Sequence, residues 1–167
     1  MSVATRHIPT PAPFGLRVQP SAEAVPEARR LVIQAVRRWE LPLTEEALRD
    51  VELLASEVIT NAVVHTAQTC QVSVRWTGMR LRVEVADTSA ELPEAVGSEA
   101  EATSGRGLFL VDALATAWGM ESLETGGKRT WFEVSSSAVA SDSRPAALAR
   151  AAQPPEPGEP LPSLTTA

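Results

Sequence analysis

Disulfides are excluded at once, because the 167-residue chain has a single cysteine, Cys70. That fits a reducing compartment. Long apolar runs are also missing, and nothing approaches the length needed to span a bilayer. The first 13 residues hold Arg6, His7 and three prolines without an apolar stretch, so they do not read as a secretory signal. Cytoplasmic location and no membrane contact are the expectation. Positive charge is scarce: 15 Lys and Arg stand against 21 Asp and Glu, for a net charge of −6. The imbalance falls within residues 14–135. A negative surface repels phosphate backbones, so direct nucleic-acid binding is not expected. A nucleotide is not excluded, since it needs only a local site and brings its own cation. There is one lysine, Lys128, so no Walker-type or other catalytic lysine is available from the helices.

What is present suits one soluble domain, with 44% hydrophobic and 22% charged residues. Residues 1–13 read as a flexible N-terminal segment and 14–135 as the domain. Residues 136–167, rich in Ala, Pro, Ser and Thr, read as a disordered tail that cannot bury enough apolar surface to offset its ordering entropy.

Within the domain, Phe14 to Val18 reads as a strand. Ser21 caps a helix running to about Trp39, with Val25, Ala28, Val32, Ala35 and Trp39 spaced for one buried face. Thr44 caps a second helix that continues to about His65. Cys70–Trp76 and Leu81–Ala86 alternate as a hairpin around Gly78. Residues 88–104 form an acidic loop carrying Glu91, Glu94, Glu99 and Glu101. A third helix follows from Gly105 to Ala115, then a hairpin of Met120–Leu123 and Thr130–Val134 around Gly126-Gly127. Both hairpins lack a crossover helix, so their strands are antiparallel. The fold class is therefore α/β: a two-layer sandwich of a mostly antiparallel sheet covered on one face by helices. Trp39, Trp76, Trp118 and Trp131 are expected at the core or its edge, and Cys70 as a small apolar filler.

Four signals carry chemistry. The second helix is apolar over most of its circumference, yet Glu57, Asn61 and His65 recur four residues apart on one stripe. Buried polar groups are costly unless something pairs with them, so the stripe points to a site. Gly105-Arg106-Gly107-Leu108 opens a helix, where unsatisfied amides and the helix dipole suit phosphate oxygens. A lone Gly-x-Gly is equally a hinge, and neither P-loop nor dinucleotide-fold spacing is present. Asp87 ends a strand, where Asp is also an ordinary turn former. Thr130 opens the last strand, where Thr is common for its shape alone.

Together these segments resemble the GHKL (histidine kinase-like) ATPase superfamily. Glu57-Val58-Ile59-Thr60-Asn61-Ala62-Val63-Val64-His65 is similar to its N box, and Asp87-Thr88-Ser89 falls where the next box stands. Gly105-Arg106-Gly107-Leu108 is similar to the glycine box, and Lys128-Arg129-Thr130-Trp131-Phe132 to the final strand. The short single-domain form most resembles the anti-sigma-factor serine kinases. The resemblance implies a Bergerat-type fold and two cofactors, ATP and Mg²⁺. It implies that Asn61 coordinates Mg²⁺ and that Glu57 is the catalytic base. Asp87 accepts from the adenine amino group with Thr130 in support. Gly105, Gly107 and Leu108 line the phosphates, and Arg106 adds charge near them. His65 is assigned no chemistry. Ser89 departs from the family pattern, which has glycine there.

The resemblance further implies a protein partner, a sigma factor or an antagonist protein carrying a serine acceptor, and leaves a homodimer open. The reading is an anti-sigma-type serine/threonine protein kinase. A non-catalytic ATP-binding regulator that sequesters a partner is the alternative. A histidine-kinase fragment is disfavoured, because His7 has no helical context as a phosphoacceptor.

Overall fold

The computed structural model describes residues 10–89 and 104–136. The acidic loop over 90–103 and the tail over 137–167 therefore lie outside the described residues, as do residues 1–9. Strand β1 (Phe14–Val18) leads into α1 (Ala24–Arg38) and α2 (Glu45–Thr66). The hairpin β2 (Cys70–Trp76) and β3 (Arg80–Asp87) follows. Then come α3 (Ser104–Leu114), β4 (Ala117–Ser122) and β5 (Lys128–Ser135). The sheet order is β1-β2-β3-β5-β4, and every neighbouring pair is antiparallel. Among the described residues, no helix is long and apolar enough to cross a membrane.

Local chemistry sets the ends of these elements. The Thr44 hydroxyl accepts from the Ala47 amide at 3.1 Å, a proper N-cap for α2. At the other end Ala67 takes a left-handed φ of 49°, and Thr66 Oγ1 accepts from the Gln68 amide at 3.1 Å while donating to the Ala62 carbonyl at 3.0 Å. Ser21 does bond to the start of α1, its Oγ accepting from the Ala24 amide at 3.3 Å. The helix itself begins only at Ala24, with Glu23 at the N-cap position, two residues later than the sequence suggests. Gly78, at φ 96°, turns β2 into β3.

The sheet is two-faced. Val72 and Val74 on β2, Val83 and Val85 on β3, and Phe132 and Val134 on β5 point inward and are buried. Helix α2 lies on them, contacting β2, β3 and β5 on one side and α1 and α3 on others. That explains most of its apolar sequence: Leu54, Ala55, Val58, Ile59, Ala62 and Val63 are all buried, while Leu53 and Val64 are exposed. The opposite sheet face is polar and ion-paired. Arg82 bonds both Glu84 (2.6 Å) and Glu133 (3.1 Å), and its guanidinium stacks 3.9 Å from the Trp131 ring centroid.

This corrects one expectation. Trp76 is in the core, and Trp39 and Trp118 pack at its edge, but Trp131 alternates with buried Thr130 and Phe132 and so falls on the outer face. Gly119 lies opposite it, where a Cβ would come within 2.9 Å of the ring. That fit extends β4 back to Ala117, beyond the Met120 start the sequence suggests.

Candidate functional site

Two polar clusters interrupt the layer between helices and sheet. The first is on α2. Glu57 and Asn61 sit one turn apart, both half-buried, on the side that α3 approaches. Gly107, in the first part of α3, packs directly against them. A Cβ built there would lie 2.9 Å from Glu57 Oε2 and 3.3 Å from Asn61 Nδ2. Only a glycine lets α3 come this close without displacing the carboxylate. The start of α3, with its outward amides and partial positive charge, thus stands beside a carboxylate and an amide. Gly105 and Arg106 occupy the same first turn, and Leu108 follows half-buried. The side chains of Arg106 and His65 lie outside the described residues. So do Glu91, Glu94, Glu99 and Glu101.

The second cluster closes the other end of β3. Asp87, Lys128 and Thr130 are the buried polar or charged residues among those described, at 5%, 7% and 8% exposure. All three occupy one corner. Asp87 is the register partner of Lys128, and Thr130 pairs with Val85, so the three side chains share the inward face. Asp87 Oδ1 accepts from the Ser89 amide at 2.8 Å and lies 3.6 Å from Lys128 Nζ. The amide that orients Asp87 is main chain, so Ser89 supplies it as well as glycine would. Gly127, at φ 90°, passes so close that a Cβ would collide with the Asp87 carbonyl. Cys70, on β2, feels the same corner: burial, and then the Asp87 charge, push its thiol up to about 11. It is a neutral filler, not a nucleophile.

The sequence reading placed Glu57, Asn61 and Gly107 together, and Asp87 and Thr130 together; the structure does the same. Lys128, which the sequence does not single out, joins Asp87 and Thr130 at this corner. Its signal was alternation: it stands two residues before Thr130, on the strand face that Phe132 and Val134 fix as inward.

The arrangement can do two things chemically. The α2–α3 cluster offers an amide for a hard cation, a carboxylate for a proton and a helix start for phosphate oxygens. The sheet corner offers a dry acceptor, a hydroxyl and a cation, which suit the edge of a base. Helix α2 contacts the strands that carry the corner, so one element spans both. The family model for the histidine kinase-like ATPase domain matches residues 18–134, which include both clusters. No curated protein matches the chain.

Proposed function

The chain belongs to the histidine kinase-like ATPase family, whose domain takes ATP as its substrate, and from that premise we propose that it is an anti-sigma-type serine/threonine protein kinase working in the cytoplasm. It uses Mg·ATP and phosphorylates a serine on an antagonist protein. The supporting observation is the triple contact of Glu57, Asn61 and Gly107. A pure binder needs an anion cradle and a cation ligand, but it has no use for a carboxylate held against the phosphate-facing helix start.

Asn61 fits Mg²⁺. Its amide supplies an oxygen, and among the described residues no group of three or more His, Cys, Asp or Glu side chains is gathered into a protein-only cage. One side-chain ligand with phosphate oxygens and waters is the usual manner of holding this ion. When bound, Mg²⁺ neutralises phosphate charge. Glu57 takes the proton of the incoming serine hydroxyl as its oxygen forms a bond to the γ-phosphorus. The bond from that phosphorus to the β–γ bridging oxygen breaks, and ADP leaves. The α3 amides hold the phosphates in line. Asp87 accepts from the adenine 6-amino group, and Thr130 supports it.

The test is transfer of labelled γ-phosphate from ATP to proteins of a cytoplasmic extract. Glu57→Ala should keep ATP affinity within a few-fold and lose about 10²–10⁴-fold in transfer, the usual worth of a general base. A parent protein that binds ATP and phosphorylates nothing would replace the kinase with the sequestering regulator.

A further inference from the structure

We propose that Lys128 reads the nucleobase directly: its ammonium donates to a ring nitrogen of adenine beside the 6-amino group that Asp87 accepts from. This rests on the ATP reading of the site and names a specificity-determining residue within it.

The chain has one lysine, and that lysine is buried. Every other permanent side-chain cation in the chain is an arginine. Lysine is among the residues least often buried, because its ammonium is strongly hydrated. Burying it is costly unless it is paired. Here it is paired with Asp87 at 3.6 Å, with side chains 9% and 2% exposed. Lys128 offsets the cost of burying the Asp87 carboxylate, but an ammonium that does only this competes with the base for the same carboxylate. The competition disappears if the base uses both groups.

Adenine can do so. Its 6-amino group, a donor, is flanked on both sides by ring nitrogens that only accept, N1 and N7. A carboxylate and an ammonium side by side on one strand pair present an acceptor next to a donor, which is the complement of either edge. An ammonium has three N–H donors, so it can hold Asp87 and a ring nitrogen together. Guanine presents a carbonyl where adenine has the amino group, and the carboxylate repels it. Thr130, two residues on along the same inward row, keeps the corner polar on its other side.

The test pairs protein variants with base analogues. ATP, 1-deaza-ATP, 7-deaza-ATP and purine riboside triphosphate are titrated with Mg²⁺ against the parent, Lys128→Met, Lys128→Gln and Asp87→Asn. The parent should bind one of the two deaza analogues at least roughly tenfold more weakly than ATP, the effect of losing one charge-assisted hydrogen bond. Lys128→Met should bind that analogue and ATP alike, while Lys128→Gln, whose amide keeps a neutral donor, should retain a smaller difference between them. Asp87→Asn should keep the deaza penalty while losing the penalty against purine riboside triphosphate, which lacks the amino group.

A purely structural lysine would weaken all four nucleotides together, and thermal melts of both Lys128 variants separate misfolding from lost recognition. A second measurement needs no variant. Lysine labelled with ¹³C at Cε gives one side-chain resonance in this chain, and saturating ATP should shift it more than the penalised deaza analogue does, because that analogue offers Lys128 no ring nitrogen. Parent protein that binds ATP through Asp87 but is indifferent to both deaza changes overturns this inference and leaves the ATP site standing. So does a Lys128→Met protein that discriminates ATP from GTP better than the parent. A parent that binds no ATP overturns both.

Discussion

Gly107 shows how a single missing methyl can matter more for chemistry than for folding. The atom a Cβ would meet first is the far end of the flexible Glu57 side chain, at 2.9 Å. That carboxylate can swing away, so Gly107→Ala should fold, with a melting temperature within a few degrees of the parent. The displaced base should then lower phosphoryl transfer more than tenfold, in line with the range for general-base catalysis; parallel melts and transfer assays decide it. Asn61→Ala should abolish the Mg²⁺ dependence of ATP binding in titration calorimetry; equal affinities would remove Asn61 from the metal. Asp87→Asn should cost about 1.5–3 kcal/mol of ATP affinity, roughly ten- to a hundredfold. Cys70 gives a pH readout. Its folded thiol, raised to about 11 from 9.0, binds its proton more tightly than the unfolded one. Its contribution to stability is therefore full below pH 9.0 and is lost as pH rises toward 11. Denaturant midpoints across that range should fall, and Cys70→Ala should flatten the fall.

At the scale of elements, α2 holds the site, so its ends matter. Thr44→Ala removes the hydroxyl that accepts from the Ala47 amide and should destabilise the domain by about 0.5–2 kcal/mol. Urea titration measures this, and ATP affinity measured at low temperature should be unchanged. Most elements could be read from the sequence because their periods are clean: 3.6 along α1, and two along β2, β3 and β5. Where the reading slipped, a partner distant in sequence was responsible. Strand β4 reaches back to Ala117 because Gly119 fits under Trp131 across the sheet. Trp131 itself leaves the core because its neighbours Thr130 and Phe132 claim the inward positions and Arg82 covers it from the next strand. Helix α1 is the local exception: its N-cap position is Glu23 rather than Ser21, because the Ser21 hydroxyl closes a turn ahead of the helix.

For the molecule as a whole, the core is assembled from Val18 through Val134, the same span that the family model matches. The Ala/Pro-rich composition after it offers little to bury. Cutting the chain after Ser137 should leave the melting temperature and ATP affinity nearly unchanged; a drop of many degrees in calorimetry would mean that the removed segment packs on the domain. By itself the sequence determined the element types, the two-layer class, the polar stripe on α2 and the glycine-rich helix start, because each rests on contacts between residues close along the chain. It also determined which residues could serve ATP, since their types and order are written there. Only the tertiary structure decided the strand order β1-β2-β3-β5-β4, which places Asp87 beside Lys128 across 41 positions of chain. It alone showed that the one lysine is buried against that carboxylate, because the burial of a strand residue depends on which neighbour covers its face, and that neighbour comes from elsewhere in the chain.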